Sequence, residues 1–64
     1  MTVYLYDKNG KYIRSAVFQC LPRIGESIEY RYNDNYLKAK VIDIVHIEDG
    51  IETKLILSNE RIQG

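Results

Sequence analysis

The stretch QCLPRIGESIEYRY, residues 19–32, places a proline and a glycine three residues apart between two segments with the composition of β-strands. Pro22 cannot donate a hydrogen bond to a sheet, and Gly25 can adopt backbone angles that are closed to other residues. The segment that follows, SIEYRY at residues 27–32, alternates apolar and polar side chains, which predicts a strand. The stretch therefore predicts a corner between two strands of a small sheet.

The rest of the chain also divides into short strands and tight turns. Four further strands are predicted over residues 3–6, 11–19, 36–47 and 51–57. The segments DKNG, NDN and EDG that separate the strands are rich in Asn, Asp and Gly, which tolerate the backbone angles of tight turns. The last seven residues, SNERIQG, predict a terminal turn or one short helical turn, and no window has helical periodicity of the length that a stable helix needs.

The longest predicted strand changes the side on which its apolar residues lie. Leu37, Ala39 and Val41 share one face, whereas Ile42 and Ile44 continue the apolar pattern on the other. Such a change of phase predicts a bulge or bend at residues 41–43, by which one strand passes from one sheet to another. Together these features predict an all-β fold with a single domain over residues 1–64: a small five-stranded, SH3-like, partly open antiparallel barrel.

The segment LPRIGESI at residues 21–28, followed by VIDIVH at residues 41–46, resembles a pattern found in small SH3-like barrel proteins of bacteria and their phages. The resemblance covers residues 18–57. It implies that Pro22 and Gly25 shape a loop, that Ile24 plugs the end of the barrel and that Arg23 stands exposed. The core residues that it implies are Ile28, Val41, Ile44 and Leu55. The resemblance predicts a fold rather than a function, because this fold hosts many activities.

Length and cysteine content limit how the chain can be stabilised. A domain of 64 residues buries only about 60% of the surface that its unfolded chain exposes, so small domains usually need a staple or a partner. Cys20 is the only cysteine, which excludes an internal disulfide, and one Cys with one His cannot supply the four ligands of a structural zinc site. Strong packing between the strands or self-association remains, and we expect a homo-oligomer, either a dimer or a larger assembly.

The charge balance narrows the classes of partner. Nine basic and nine acidic residues give a formal net charge of zero, which argues against bulk DNA binding and against an acidic mimic of DNA. No apolar run approaches the roughly 20 residues of a membrane span, and the first residues lack the pattern of a signal peptide. We expect a cytoplasmic protein without a membrane role, which agrees with a single unoxidised thiol.

The sequence contains no convincing catalytic set. Cys20, His46 and Asp43 are the types of residue found in a hydrolytic triad, but Cys20 precedes a proline turn and belongs to no nucleophile motif. We expect Cys20 to be buried and inert, and His46 to be a strand residue. Asp43 either caps the predicted bulge by accepting from backbone amides or faces water. We therefore predict a non-enzyme with no catalytic residues, no metal and no cofactor.

Six tyrosines, and basic residues interleaved with them, suggest binding surfaces. The segments are KYIR at residues 11–14, YRY at residues 30–32 and YLKAK at residues 36–40. Tyrosine and arginine can stack on bases or anchor a protein interface, although the same residues on an outer strand face also keep a sheet soluble. The candidate binding residues are Arg23, Tyr30, Arg31, Tyr32, Tyr36, Tyr12 and Arg14.

Two functions fit these features. The first is a non-enzymatic protein-interaction module that binds another protein. The resemblance to small barrel proteins of bacteria and their phages implies that this is a host protein and that the module is an accessory or inhibitory factor of a phage or other mobile element with an anti-defence role. The alternative is a module that binds and sequesters a nucleotide or a short nucleic acid through Arg14, Arg23 or Arg31 and nearby tyrosines. Arg23 is either a solvated loop residue that pairs with Glu26 or a guanidinium offered to a carboxylate or phosphate.

Overall fold

The structure, a computed structural model, describes residues 1–50, 52–58 and 61–62. The described part contains β-strands and no helix, and therefore no helix that could cross a membrane. The strands are β1 (Thr2–Asp7), β2 (Tyr12–Val17), β3 (Ser27–Tyr32), β4 (Asn35–His46), β5 (Thr53–Leu57) and the two-residue β6 (Arg61–Ile62).

The strands form one curved sheet in the order β2-β1-β5-β4-β3, with β6 beside β4. The prediction of a small, five-stranded, partly open SH3-like barrel is confirmed, with one difference in strand direction and one addition. The sheet is mixed rather than wholly antiparallel as expected, because β1 and β5 run parallel while the other pairs are antiparallel. Residues 61–62, where a terminal turn or a helical turn was expected, instead pair with Leu37 and Lys38 of β4, and the rest of that tail except Ser58 lies outside the described residues.

The predicted bulge in the long strand is present. It lies between the part of β4 that pairs with β3 and the part that pairs with β5. Residues 35–40 of β4 pair with β3, and the strand pairs with β5 from Val41 onward. The register shifts between Val41 and Asp43. Asp43 Oδ1 accepts from the backbone N–H of Ile44 at 2.9 Å and its side chain is exposed, so both alternatives considered for Asp43 hold together. The bulge therefore turns one continuous strand through the barrel corner.

The proline-glycine corner is a tight turn that docks on this bulge. The backbone N–H of Glu26 donates to the carbonyl of Arg23 at 3.0 Å, and Gly25 has a φ of 95°. A positive φ at the third position defines a type II turn, which favours glycine. Gly25 N–H then donates to Val41 O at 2.8 Å, and Val41 N–H donates to Glu26 O at 2.9 Å. Two hydrogen bonds thus fasten the corner to the point where β4 bends.

The core lies between the two arms of the bent sheet. It contains Val3, Leu5, Ile28, Tyr30, Leu37, Ala39, Val41, Leu55 and Leu57. The predicted core positions Ile28, Val41 and Leu55 are confirmed, and Ile44 is half-buried and packs against the same cluster. The expectation that Ile24 plugs the barrel end is wrong, since Ile24 is 60% exposed. It occupies the second position of the turn, beyond the residues that are fastened to β4.

We predict that Gly25→Ala lowers the free energy of unfolding by about 1–2 kcal/mol, because a side chain disfavours a left-handed backbone. A Cβ at position 25 would meet no other atom within 4 Å, so the cost comes from the backbone alone. Urea unfolding of the purified protein measures the change. Ile24→Ala, in the same turn, is the control and should change stability by less than about 0.5 kcal/mol. Equal effects of the two substitutions would contradict this account of the corner.

Candidate functional site

Three tyrosines pack together on the outer side of β1 and β2. The ring of Tyr12 lies edge-on to that of Tyr6, with centroids 5.4 Å apart, and its centroid is 6.5 Å from that of Tyr4. Edge-on and tilted rings at these distances attract one another. Tyr12 is 50% exposed, while Tyr4 and Tyr6 are half-buried. The cluster therefore leaves aromatic surface open to solvent.

The local sequence explains why the three rings meet. Val3 and Leu5 of β1 point into the core, so alternation sends Tyr4 and Tyr6 outward. The turn DKNG folds β2 back against β1, held by Asp7 Oδ1, which accepts from the backbone N–H groups of residues 9 and 11. This hairpin places Tyr12 directly opposite Tyr6.

Strand β5 extends this surface on its other side. In the parallel ladder, Lys54 pairs with Tyr4 and Ile56 pairs with Tyr6. Leu55, which lies between them in β5, points into the core, so Lys54 and Ile56 point outward. The Lys54 Nζ atom stands 4.9 Å from the Tyr6 ring centroid, within the range of a cation–π contact. We call the surface formed by Tyr4, Tyr6, Tyr12, Lys54 and Ile56 the tyrosine face.

The barrel is open between β2 and β3, the two edge strands of the sheet, and we call this opening the strand gap. Arg14 of β2 crosses it. Its Nη1 donates to the backbone carbonyl of Arg31 in β3 at 2.5 Å, and its Nε donates to the carbonyl of Ser15 at 2.8 Å. One guanidinium therefore joins a carbonyl on each edge, and we call this pair of hydrogen bonds the Arg14 bridge.

A shallow cleft lies at one end of the strand gap. It is lined by Asp7, Lys11, Tyr12, Ile13 and Tyr32 and has a volume of about 180 Å³. Pockets that enclose a small-molecule ligand usually measure about 300–1,000 Å³. The cleft is thus large enough for a single side chain rather than for a nucleotide.

The other predicted binding residues are dispersed. Arg31 and Tyr36 lie together on the outer face of β3 and β4, with the guanidinium carbon 5.9 Å from the ring centroid. Tyr32 is 41% exposed at the cleft, whereas Tyr30 is only 4% exposed and belongs to the core. Tyr30 therefore offers no surface to a partner of this chain.

Arg23 stands exposed at the corner, as expected, but its expected pairing with Glu26 takes a different form. Glu26 Oε1 accepts from the backbone N–H of Arg23 at 2.7 Å, and no ion pair joins the two side chains in the described part of the chain. The Glu26 carboxylate thus stabilises the backbone of the turn, and the Arg23 guanidinium stays in solvent. Arg23 lies on the corner that docks on β4 before β3 begins, whereas the Arg14 bridge reaches Arg31 near the other end of β3.

Cys20, Asp43 and His46, the three residues considered for catalysis, are not arranged as a catalytic triad. Asp43 and His46 are three residues apart in β4, which puts their side chains on opposite faces and about 10 Å apart along the strand. Cys20 is exposed, so the expectation that it is buried is wrong. It follows β2 in a loop where Phe18 and Leu21 take the positions against the core. Among the described residues, no group of His, Cys, Asp or Glu has the arrangement of a metal site.

Sequence reasoning missed Tyr4 and Tyr6 as candidate binding residues. The signal was available, because they alternate with Val3 and Leu5 and precede a clear hairpin turn that brings Tyr12 beside them. The candidate set instead followed the proximity of tyrosine to arginine along the chain, which selected the core residue Tyr30.

Comparisons with protein-family models, with curated proteins and with solved structures found no match to this chain. The likeness of residues 18–57 to small SH3-like barrel proteins of bacteria and phages therefore stays a resemblance in short motifs.

We predict that Cys20 reacts with a thiol reagent such as Ellman's reagent in the folded protein, at a rate within about fivefold of that in the urea-unfolded chain. Its exposure leaves the sulfur open to attack without unfolding. Following the release of the chromophore with time gives both rates. Protection of Cys20 by several orders of magnitude in the native protein would contradict its placement.

Proposed function

We propose that this protein is a non-enzymatic protein-interaction module whose tyrosine face docks on another protein. The observation that carries the proposal is the packed cluster of Tyr4, Tyr6 and Tyr12, with half of Tyr12 exposed. Tyrosines that are already held in place lose little conformational entropy on binding and contribute both apolar area and a hydroxyl group. They are also enriched among the residues that dominate the binding energy of interfaces.

The character of the surface favours a protein partner over a nucleic acid or a nucleotide. The net charge of zero gives no general attraction for phosphates, and the cleft of about 180 Å³ is too small to enclose a nucleotide. Lys54 adds one cation beside the rings. The surface suits an apolar patch on a folded protein that carries hydrogen-bond acceptors, including a carboxylate, at its rim.

The biological setting of the proposal comes from the resemblance. An accessory or inhibitory factor of a phage or mobile element, which binds and blocks a host defence protein in the cytoplasm, needs a compact scaffold and a contact surface but no chemistry. A small barrel with a rigid aromatic face meets that requirement.

We predict that Tyr12→Ala weakens partner binding at least about tenfold, because it removes the exposed ring at the centre of the tyrosine face. Tyr36→Ala is the matched control, since Tyr36 is 54% exposed but lies on a different face, beside Arg31. It should change affinity by less than about threefold. Baits of the wild type and both variants, compared by quantitative mass spectrometry, identify the partner, and calorimetry with the purified pair gives the affinities.

A partner that tolerates Tyr12→Ala as well as it tolerates Tyr36→Ala would contradict the proposal. The nucleotide alternative has a separate signature. Native mass spectrometry of protein taken directly from a lysate would then show an added mass of nucleotide size, lost in Arg23→Ala or Arg14→Ala. An unmodified mass together with Tyr12-dependent protein binding supports the interaction module.

A further inference from the structure

The outer edge of β3 carries backbone N–H and C=O groups that no strand in the described part of the chain pairs with. Val41 N–H donates to Glu26 O, so the alternation of an antiparallel ladder points the N–H and C=O groups of residues 27, 29 and 31 away from β4. The Arg14 bridge occupies the carbonyl of Arg31. A guanidinium has donors and no acceptor, so Arg14 can satisfy an edge carbonyl but none of the edge N–H groups.

The side chains along this edge are complementary to themselves. An antiparallel pairing of β3 with β3 of a second copy, with Tyr30 on the two-fold axis, places Glu29 opposite the partner's Arg31 and Arg31 opposite the partner's Glu29. Residues that face each other in this way lie on the same side of the sheet with Cβ atoms about 5 Å apart, where opposite charges attract. The symmetry makes the favourable pair occur twice.

Neighbouring registers lack this complementarity. Moving the axis by one residue toward the start of β3 places Glu29 opposite the partner's Glu29, and moving it by one residue toward the end places Arg31 opposite the partner's Arg31. Like charges directly opposite each other are unfavourable. The edge of β2 has no charged pair that would favour one register, because its outward positions carry the uncharged residues Ser15 and Val17. Charge therefore selects both the strand and the register.

The neighbouring strand β4 places further side chains beside the charged residues of β3. Lys38 of β4 is the cross-strand neighbour of Glu29, and Tyr36 is that of Arg31 and contacts its guanidinium. In the dimer, each row of side chains across the joined sheet would therefore run from Lys38 to Glu29 of one copy and then to Arg31 and Tyr36 of the other copy. On the inner side, Tyr32, which is 41% exposed, would face the partner's Ile28. Both faces of the joined sheet are thus compatible with pairing.

We propose that the outer edge of β3 is a self-association surface, which pairs antiparallel with β3 of a second copy in the register that places Glu29 opposite the partner's Arg31, and that the Arg14 bridge competes with this pairing. Arg31 is available for it, because its ion pair with Asp34 is long, at 3.9 Å, and exposed. A pair of six-residue strands is a small contact beside the roughly 800 Å² per partner of a standard interface, so we expect a weak dimer.

The first test removes the competitor. Arg14→Ala frees the Arg31 carbonyl and should tighten the dimer about three- to tenfold, the change expected for one hydrogen bond. Arg23→Ala is the matched control, because it removes the same charge from an exposed site on the corner and should leave the dissociation constant unchanged. Sedimentation equilibrium over a range of concentrations measures all three proteins. A monomer that persists in Arg14→Ala up to millimolar concentration overturns the proposal.

The second test addresses the register and does not depend on Arg14. Glu29→Arg places arginine at both charged positions, and Arg31→Glu places glutamate at both, so each homodimer should weaken about tenfold or more. Mixed in equal amounts, the two variants restore all opposite-charge pairs and should form the heterodimer at least as tightly as the wild type forms its homodimer. Their masses differ, so native mass spectrometry separates the heterodimer from both homodimers.

Far-UV circular dichroism of each variant establishes that it is folded before association is measured. A statistical or smaller proportion of heterodimer in the mixture would overturn the proposed register. Unaltered homodimers in both charge variants would overturn the choice of the β3 edge. The tyrosine face takes no part in this pairing, so Tyr12→Ala should leave self-association intact whatever becomes of the proposed partner binding.

Discussion

Two hydrogen bonds at Val41 determine how the whole chain is arranged. Val41 is fully buried, accepts from Gly25 N–H and donates to Glu26 O, at the point where β4 leaves β3 and joins β5. A strand that served a single neighbour would produce a flat ribbon with one face in water. Because the corner is fastened at the bend, the two arms of the sheet close over a common core of aliphatic residues and one tyrosine.

The same arrangement explains why the barrel is open. Strand β5 runs antiparallel to β4 and parallel to β1, so the β1–β2 hairpin attaches beyond β5 and β2 becomes an edge. Strand β3 is the other edge, because in the described part of the chain it pairs with β4 alone. The curvature brings the two edges close enough for a single arginine to join them. A closed ladder would satisfy donors and acceptors alike, whereas the Arg14 bridge satisfies only two carbonyls.

The sequence predicted those features that depend on short-range patterns. Alternation located β3 and the inward residues of β4, and the change of phase after Val41 located the bulge. The hairpin turns followed from residues that tolerate positive φ, such as Asn33 and Asp34, with φ of 51° and 65°. Each of these depends on steric and solvation preferences within a few residues.

The remaining features depend on contacts between distant parts of the chain. The parallel pairing of β1 with β5 joins residues about 50 positions apart, and no local pattern specifies its direction. The exposure of Ile24 and Cys20 likewise depends on which neighbours in space take the core positions. Arg14 was identified as a candidate for binding a ligand, but its contacts in the fold are with carbonyls of its own backbone. Composition alone cannot distinguish these two uses of a guanidinium.

A second bulge, at Ile13, separates the two candidate surfaces. Tyr12 and Arg14 are two residues apart, so an uninterrupted strand would direct both side chains to the same face. The register shift in the β1–β2 pairing instead places Tyr12 opposite the outward Tyr6 and Arg14 opposite the buried Leu5. Ile13 is the extra residue, and it packs against the core. One inserted residue thus gives β2 an aromatic outer face and an arginine on the side of the strand gap, so that the same short strand contributes to two different surfaces.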